Sequence, residues 1–131
     1  MVAWRSHLAL ALLGLERRDQ ALELAREEVD LARAWGAPRA LGVALRTLSH
    51  AEGGETGIGT LRESLAVLER SSAKLERGRT LARLGALLGD DEGRGLLEQG
   101  LELARTCEAQ PLVEEAEAEL AAAGANAVAA D

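Results

Sequence analysis

Hydrophobic residues recur every three or four positions over most of the chain. Leu22, Ala25, Val29 and Ala32 follow this spacing, and so do the leucines at positions 61, 65 and 68 and at positions 81, 84 and 88. Such spacing places the apolar side chains along one face of an α-helix. Glycine and proline interrupt the pattern repeatedly, so the chain is predicted to form a series of short helices that each bury one face.

The interruptions predict seven helices. The first is expected from Val2 to Leu13, and the later ones are expected to begin at caps or prolines and to end near glycines. The predicted N-caps are Asp19 for the second helix, Ser71 or Ser72 for the fifth, and Asp90 or Asp91 for the sixth, while Pro38 and Pro111 open the third and seventh. The seventh helix is expected to end near Ala123, which leaves residues 124–131 as a frayed tail.

The apolar positions also repeat with a period of 36 residues. Leu12, Leu48, Leu84 and Leu120 form one series. The apolar residues at positions 29, 65 and 101 form a second series, and those at positions 31, 67 and 103 form a third with the same spacing. Two helices of about 14 residues and two turns fill such a period, so each repeat is one helical hairpin. We therefore predict a single helical-repeat domain over residues 1–123.

Several segments resemble a tetratricopeptide repeat. His7-Leu8-Ala9 with Leu12, followed by Asp19-Gln20-Ala21, is similar to the Leu-Gly/Ala positions of that repeat's first helix and the Ala position of its second. Leu84-Gly85, followed by Gly93 and Gly100-Leu101, is similar to them again, with Leu and Ala in place of the usual aromatic residues. The resemblance implies an all-α, tetratricopeptide-like α-solenoid of about seven antiparallel helices whose first helices line a groove.

The stretch from Trp4 to Gly124 also resembles the C-terminal helical-repeat region of large ATP-binding LuxR-type transcriptional regulators, chiefly in residues 21–28, 31–42 and 100–105. In those proteins an ATPase domain precedes the repeats and a helix-turn-helix DNA-binding domain follows them. This sequence contains no GxxxxGK[ST] motif and no helix-turn-helix after Gly124. The resemblance therefore implies an origin, and we do not expect its ATP- and DNA-binding activities here.

Composition and charge argue against several classes of function for this protein. The net charge of −7 disfavours direct nucleic-acid binding, which needs a surplus of positive charge. The longest apolar run, residues 8–15, is too short to cross a bilayer, and the first residues lack a signal-peptide pattern. We expect a cytoplasmic protein with no membrane partner. Cys107 is the only cysteine, which excludes an internal disulfide and a multi-cysteine zinc module.

The reactive side chains do not form a recognisable catalytic pattern. His7 and His50 could act as general bases, but neither has a Ser or Cys near it in the sequence. Cys107 is predicted at a helix C-terminus, which does not favour a reactive thiolate. Asp90, Asp91 and Glu92 are interpreted as helix-capping residues rather than calcium ligands. We therefore predict no catalytic residue, no metal site and no cofactor.

Four arginines in the predicted first helices of the hairpins form the candidate partner-binding site. Arg39 and Arg46 are seven residues apart on one helix, and Arg79 and Arg83 are four apart on the next such helix. In the 36-residue register the four are expected to form one basic patch in the groove. Guanidinium groups bind carboxylates in bidentate fashion, so the predicted partner is a protein or an acidic peptide. The alternative is that these arginines pair with glutamates of the chain itself.

The first predicted helix is apolar on nearly all sides. One neighbouring hairpin can cover only part of it, so an exposed patch that contains Trp4 and Leu10 is expected. Closed two-fold dimers are the commonest symmetric assembly, and we predict a homodimer that associates through these residues.

Together these features favour a noncatalytic protein-interaction module, with a link to transcriptional regulation that the second resemblance implies. Two alternatives stay open. One is a small-molecule-binding protein or an enzyme of a biosynthetic pathway that uses the groove, with Trp4, His7, His50 or Arg79 in an enclosed pocket. The other is a remnant of a larger regulator that retains only an assembly role.

Overall fold

The structure is a computed structural model that describes residues 4–130, with side chains described as far as residue 125. These residues form seven α-helices and no strand, which confirms the all-α prediction. The helices are α1 (Trp4–Gly14), α2 (Arg18–Trp35), α3 (Pro38–Glu52), α4 (Gly54–Glu69), α5 (Lys74–Leu88), α6 (Asp91–Thr106) and α7 (Gln110–Ala130).

The chain divides into two compact units. Met1–Ser72 contains α1 to α4, and Ala73–Asp131 contains α5 to α7. Residues 1–123, predicted as one helical-repeat domain, are thus distributed over both units. In the first unit α1 packs on α2 and α3, and α3 packs on α4; in the second unit α5 packs on α6, and both contact α7.

Most of the helix ends follow the local signals of the sequence. Gly36 and Gly89 end α2 and α5 with φ angles of +68° and +66°, a left-handed conformation that glycine adopts without a steric cost. Pro38 is the first residue of α3, as predicted. The N-cap of α6 is Asp90, whose Oδ1 accepts a hydrogen bond from the Gly93 N–H at 2.8 Å.

Three predicted boundaries are wrong. The N-cap residue of α2 is Arg17, without a side-chain cap, and Asp19 lies in the first turn, where its carboxylate still complements the helix dipole. Helix α5 follows Ala73 as its N-cap, so neither Ser71 nor Ser72 caps it. Helix α7 continues past Ala123 to Ala130, because the alanine-rich segment sustains the helix through a single glycine. The predicted start at Val2 and the last residue, Asp131, lie outside the described residues.

Helices α3 and α4 form an antiparallel hairpin that closes on small residues. The Ser49 hydroxyl donates to the carbonyl oxygen of Gly57 at 2.6 Å, and the Ser64 hydroxyl donates to that of Gly42 at 2.7 Å. Both serines are buried. A Cβ on Gly57 would lie 2.7 Å from the Ser49 carbonyl oxygen, so the two backbones could not approach this closely with a larger residue at position 57.

Helices α5 and α6 form a second hairpin with the same crossings. Gly85 meets Gly93 and Gly78 meets Gly100, and a Cβ on Gly85 would lie 2.5 Å from the Gly93 carbonyl oxygen. Each of these four glycines lies 36 residues after a crossing residue of the first hairpin. The period found in the apolar positions therefore also sets the close contacts inside each hairpin. Among the apolar positions, Leu12, Leu48 and Leu84 are all buried.

Each unit has a hydrophobic core of its own. In the first, the apolar faces of α1, α2 and α3 meet, with Val67 of α4 added. The second is built from α5, α6 and α7, with Leu97, Leu101 and Leu112 among its residues. Polar contacts also link α2 to α3. The guanidinium of Arg18, at the start of α2, donates hydrogen bonds to the backbone carbonyl oxygens of Ala51 and Glu52 at the end of α3.

Candidate functional site

Four large apolar residues on α1 and the turn after it are exposed. Trp4 is 49% exposed, Leu8 43%, Leu10 45% and Leu15 68%. The opposite side of α1 is buried through Ser6, Ala9 and Leu12. Both residues predicted for self-association, Trp4 and Leu10, are therefore accessible to a partner.

Helical geometry separates these exposed residues into two groups. Successive residues turn by about 100°, so Trp4, Leu8 and Leu15 lie within about 40° of one another, and exposed Ala11 lies beside them. We call these four residues the apolar stripe. Leu10 lies at least about 120° away from Trp4 and Leu8, on the other flank of α1. Trp4 and Leu10 thus do not share one flat patch.

An arginine holds the Trp4 ring in place. The guanidinium carbon of Arg5 lies 4.3 Å from the centroid of the Trp4 ring, a cation–π arrangement. The same guanidinium forms ion pairs with two carboxylates of α2: Arg5 Nε lies 3.5 Å from Glu27 Oε2, and Nη1 lies 4.0 Å from Glu28 Oε2. Trp4 is therefore connected through Arg5 to the neighbouring helix.

Glu28 is unusual because it is a carboxylate that is only 2% exposed. By the 36-residue register Ser6 and Glu28 occupy the crossing that Gly42 and Ser64 occupy in the next hairpin. Small residues close that crossing, whereas here Glu28 Oε2, Ser6 Oγ and Arg5 Nε are buried without a hydrogen bond. Burying polar groups in this way costs stability. A costly arrangement beside an exposed tryptophan indicates a role other than packing.

Two further large apolar residues of the first unit are exposed on α2. Because Arg5 pairs with Glu27 and Glu28, the start of α1 lies level with the middle of α2 in an antiparallel hairpin. Leu31, about one helical turn beyond Glu28, is also exposed. Trp35, at the end of α2, is the most exposed large apolar residue of the described chain.

The candidate arginines of the first unit lie on α3. Arg39 is exposed and Arg46 is half-buried. Their spacing of seven residues places both on one face of the helix, as predicted. Arg79 and Arg83 belong to the second unit, and a single patch of all four arginines stays a prediction.

Both arginines of the second unit have carboxylates of the chain close to them. Arg79 Nη1 donates to Glu76 Oε1 at 2.7 Å, one turn earlier on α5. Burial lowers the pKa of Arg83 below its ordinary value, while the carboxylates of Glu115 and Glu119 on α7 act in the opposite direction. A partner's carboxylate would have to compete with these local groups.

In the described part of the first unit, Trp4, His7 and His50, which the enzyme alternative names, are all exposed, the first two on α1 and the third on α3. An open depression of about 370 Å³ lies at the α1–α2 turn, lined by residues 16–20, and contains neither histidine nor Trp4. Over the described residues, no group of three or more His, Cys, Asp or Glu side chains is placed to hold a metal ion. No helix in this part of the chain is long and apolar enough to cross a membrane.

Sequence reasoning missed the anchoring of Trp4 through Arg5 and Glu28. The signal was present, because Glu28 falls among Ala21, Ala25, Val29 and Ala32 on the face of α2 that the spacing predicts to be buried. A glutamate at such a position requires a partner.

Compared with models of known families and with curated proteins, the chain matches none.

Proposed function

We propose that this chain is a noncatalytic protein-interaction module that binds its partner through the apolar stripe on α1. The observation that carries the proposal is the half-exposed Trp4 ring, held by Arg5 against α2. The LuxR-type resemblance of the repeats makes transcriptional regulation the setting we propose for this interaction.

The chemistry of the stripe supports this function. Tryptophan is enriched among the residues that dominate binding energy, especially where neighbouring apolar side chains exclude water from it. A side chain that is already ordered loses less entropy on binding. Arg5 supplies that order by stacking on Trp4, and Leu8, about one turn further along α1, supplies apolar surface next to it.

The arginine site is a weaker candidate for the primary contact. Arg79 and Arg83 already have carboxylates of the chain close to them, so a partner's carboxylate would have to compete with these groups. We keep Arg39 and Arg46 as a secondary contact for an acidic segment of a partner.

Site-specific photo-crosslinking tests the proposal in the cells that make the protein. A photoreactive phenylalanine analogue replaces Leu8 in one variant and Arg26 in the control, which is exposed on α2 about 100° around the helix from Glu27. We expect discrete covalent protein adducts from position 8 and none from position 26, whether the captured protein is another copy or a different chain. Equal adducts from both positions, or none from either, would contradict the proposal.

A further inference from the structure

We infer that the partner at the apolar stripe is a second copy of this chain, bound about a two-fold axis with the two α1 helices antiparallel. This inference rests on the proposed function and names the partner of the same surface. The stripe consists of Trp4, Leu8, Ala11 and Leu15, as defined above.

The spacing of the stripe fits a helix of the same kind. Its residues are separated by four, three and four positions, which is the spacing of a coiled-coil seam. In an antiparallel pair centred between Leu8 and Ala11, Trp4 of one copy faces Leu15 of the other, and Leu8 faces Ala11. At each end of the seam two large side chains meet, Trp4 and Leu15. Near the centre the large Leu8 meets the small Ala11. The seam is therefore complementary to a second copy of itself.

The repeat register shows that this face is built for helix packing. The stripe corresponds to residues 40, 44, 47 and 51 of α3, where Ala44 and Ala51 are buried in the core with α1 and α2. In α3 the face is thus covered by other helices. In α1 three of the four positions carry larger side chains and all four are exposed, which suits a helix that approaches from a greater distance.

Charge favours self-association at α1 over any other helix. The chain carries a net charge of −7, so most contacts between two copies would bring carboxylates together. Among the described helices α1 alone contains no Asp or Glu. Its cation, Arg5, is engaged by Glu27 and Glu28. Two copies can therefore meet along α1 without repulsion between acidic side chains.

The available area fits a dimer of weak affinity. The large residues of the stripe, Trp4, Leu8 and Leu15, are 49%, 43% and 68% exposed. Large apolar side chains bury on the order of 200 Å² each when fully covered, so these three offer roughly 320 Å² of apolar surface per copy. Apolar atoms make up about 60% of an interface, which brings the total for two copies to roughly 1,100 Å². This total exceeds the roughly 1,000 Å² expected of a biological interface and lies in the range of weak ones.

Sedimentation equilibrium of the full 131-residue chain tests the inference, with Leu8→Glu and Leu10→Glu as matched variants. Both leucines lie on α1 and are almost equally exposed, but only Leu8 belongs to the stripe. We expect the unchanged chain to dimerise below about 100 µM, Leu8→Glu to raise the dissociation constant at least about 30-fold, and Leu10→Glu to change it less than about threefold. A monomeric unchanged chain, or equal effects of the two variants, overturns the inference.

Mixing variants of opposite charge at position 8 distinguishes the loss of a dimer contact from the loss of the fold. Leu8 of one copy lies close to Leu8 of the other across the proposed axis. Leu8→Glu and Leu8→Lys should each be monomeric alone and should associate when mixed in equal amounts. Failure of the mixture to associate, with circular dichroism showing both variants folded, overturns this arrangement. If the chain is monomeric and position 8 still captures a different protein, the proposed function stands and the second copy is excluded.

Discussion

Glycine has two distinct environments inside the helices of the second unit. A Cβ on Gly85 would lie 2.5 Å from the Gly93 carbonyl oxygen and 2.9 Å from the Leu97 nitrogen, both backbone atoms that no rotamer change can move. Gly95, on α6, has open space around the same position. The first glycine is required by the close approach of two backbones, whereas the second only weakens its helix.

These environments predict opposite effects of the same substitution. Gly85→Ala should lower the free energy of unfolding by about 1–3 kcal/mol, because α5 and α6 must move apart. Gly95→Ala should raise it by up to about 1 kcal/mol through higher helix propensity. Urea denaturation followed by circular dichroism measures both. Equal changes in the two variants would show that the α5–α6 crossing is not as close as described.

At the scale of the element, the periodic leucines hold each hairpin in its unit. Leu48 on α3 and Leu84 on α5 are equivalent in the 36-residue register, and both are buried. Changing either to Ala should cost about 2–5 kcal/mol, the range for large-to-small substitutions in a core. Leu87→Ala is the control, because Leu87 lies on α5 but is 45% exposed, and its effect should be much smaller. Thermal unfolding that barely changes for both core variants would refute the repeat register.

The helices themselves were predictable, because spacing, glycine and proline act locally. Pro38 and Asp90 specify helix starts through their own chemistry, and both starts are confirmed. Asp19 and the pair Ser71 and Ser72 carry equally good capping chemistry, but the caps fall at Arg17 and Ala73. Which residue becomes the N-cap depends on the conformation of the preceding turn. The turn before α2 places Glu16 at a φ of +60° and directs the Arg17 N–H to the Leu12 carbonyl oxygen, which spacing alone does not reveal.

The candidate site was predictable only in part, for a related reason. The exposure of Trp4 and Leu10 follows from a helix that is apolar on nearly all sides. The link from Trp4 through Arg5 to Glu28 joins residues far apart in the sequence, and it depends on the level at which α1 meets α2. The same holds for Arg83, whose carboxylate neighbours are more than 30 residues away on α7. Contacts of this kind are set by tertiary packing.

At the scale of the whole molecule, the two separate cores have a consequence for stability. Leu48 contributes to the core formed by α1, α2 and α3. Leu84 is buried on α5 in the second unit, whose core is formed by α5, α6 and α7. In repeat proteins, stability is approximately a sum over units and the interfaces between neighbours, so a local defect need not unfold every repeat. Amide hydrogen exchange resolves such local openings helix by helix.

We therefore expect Leu48→Ala and Leu84→Ala to produce complementary exchange patterns. Leu84→Ala should accelerate exchange in α5, α6 and α7 by at least about tenfold, because a loss of about 1.4 kcal/mol in local stability already increases the open population tenfold. Exchange in α1 to α4 should change much less in that variant, and Leu48→Ala should show the reverse. Mass spectrometry of peptic fragments from both variants under identical conditions gives the comparison. Equal acceleration across all seven helices in either variant would show that the two units open as a single cooperative structure, since a defect in one core would then be transmitted in full to the other.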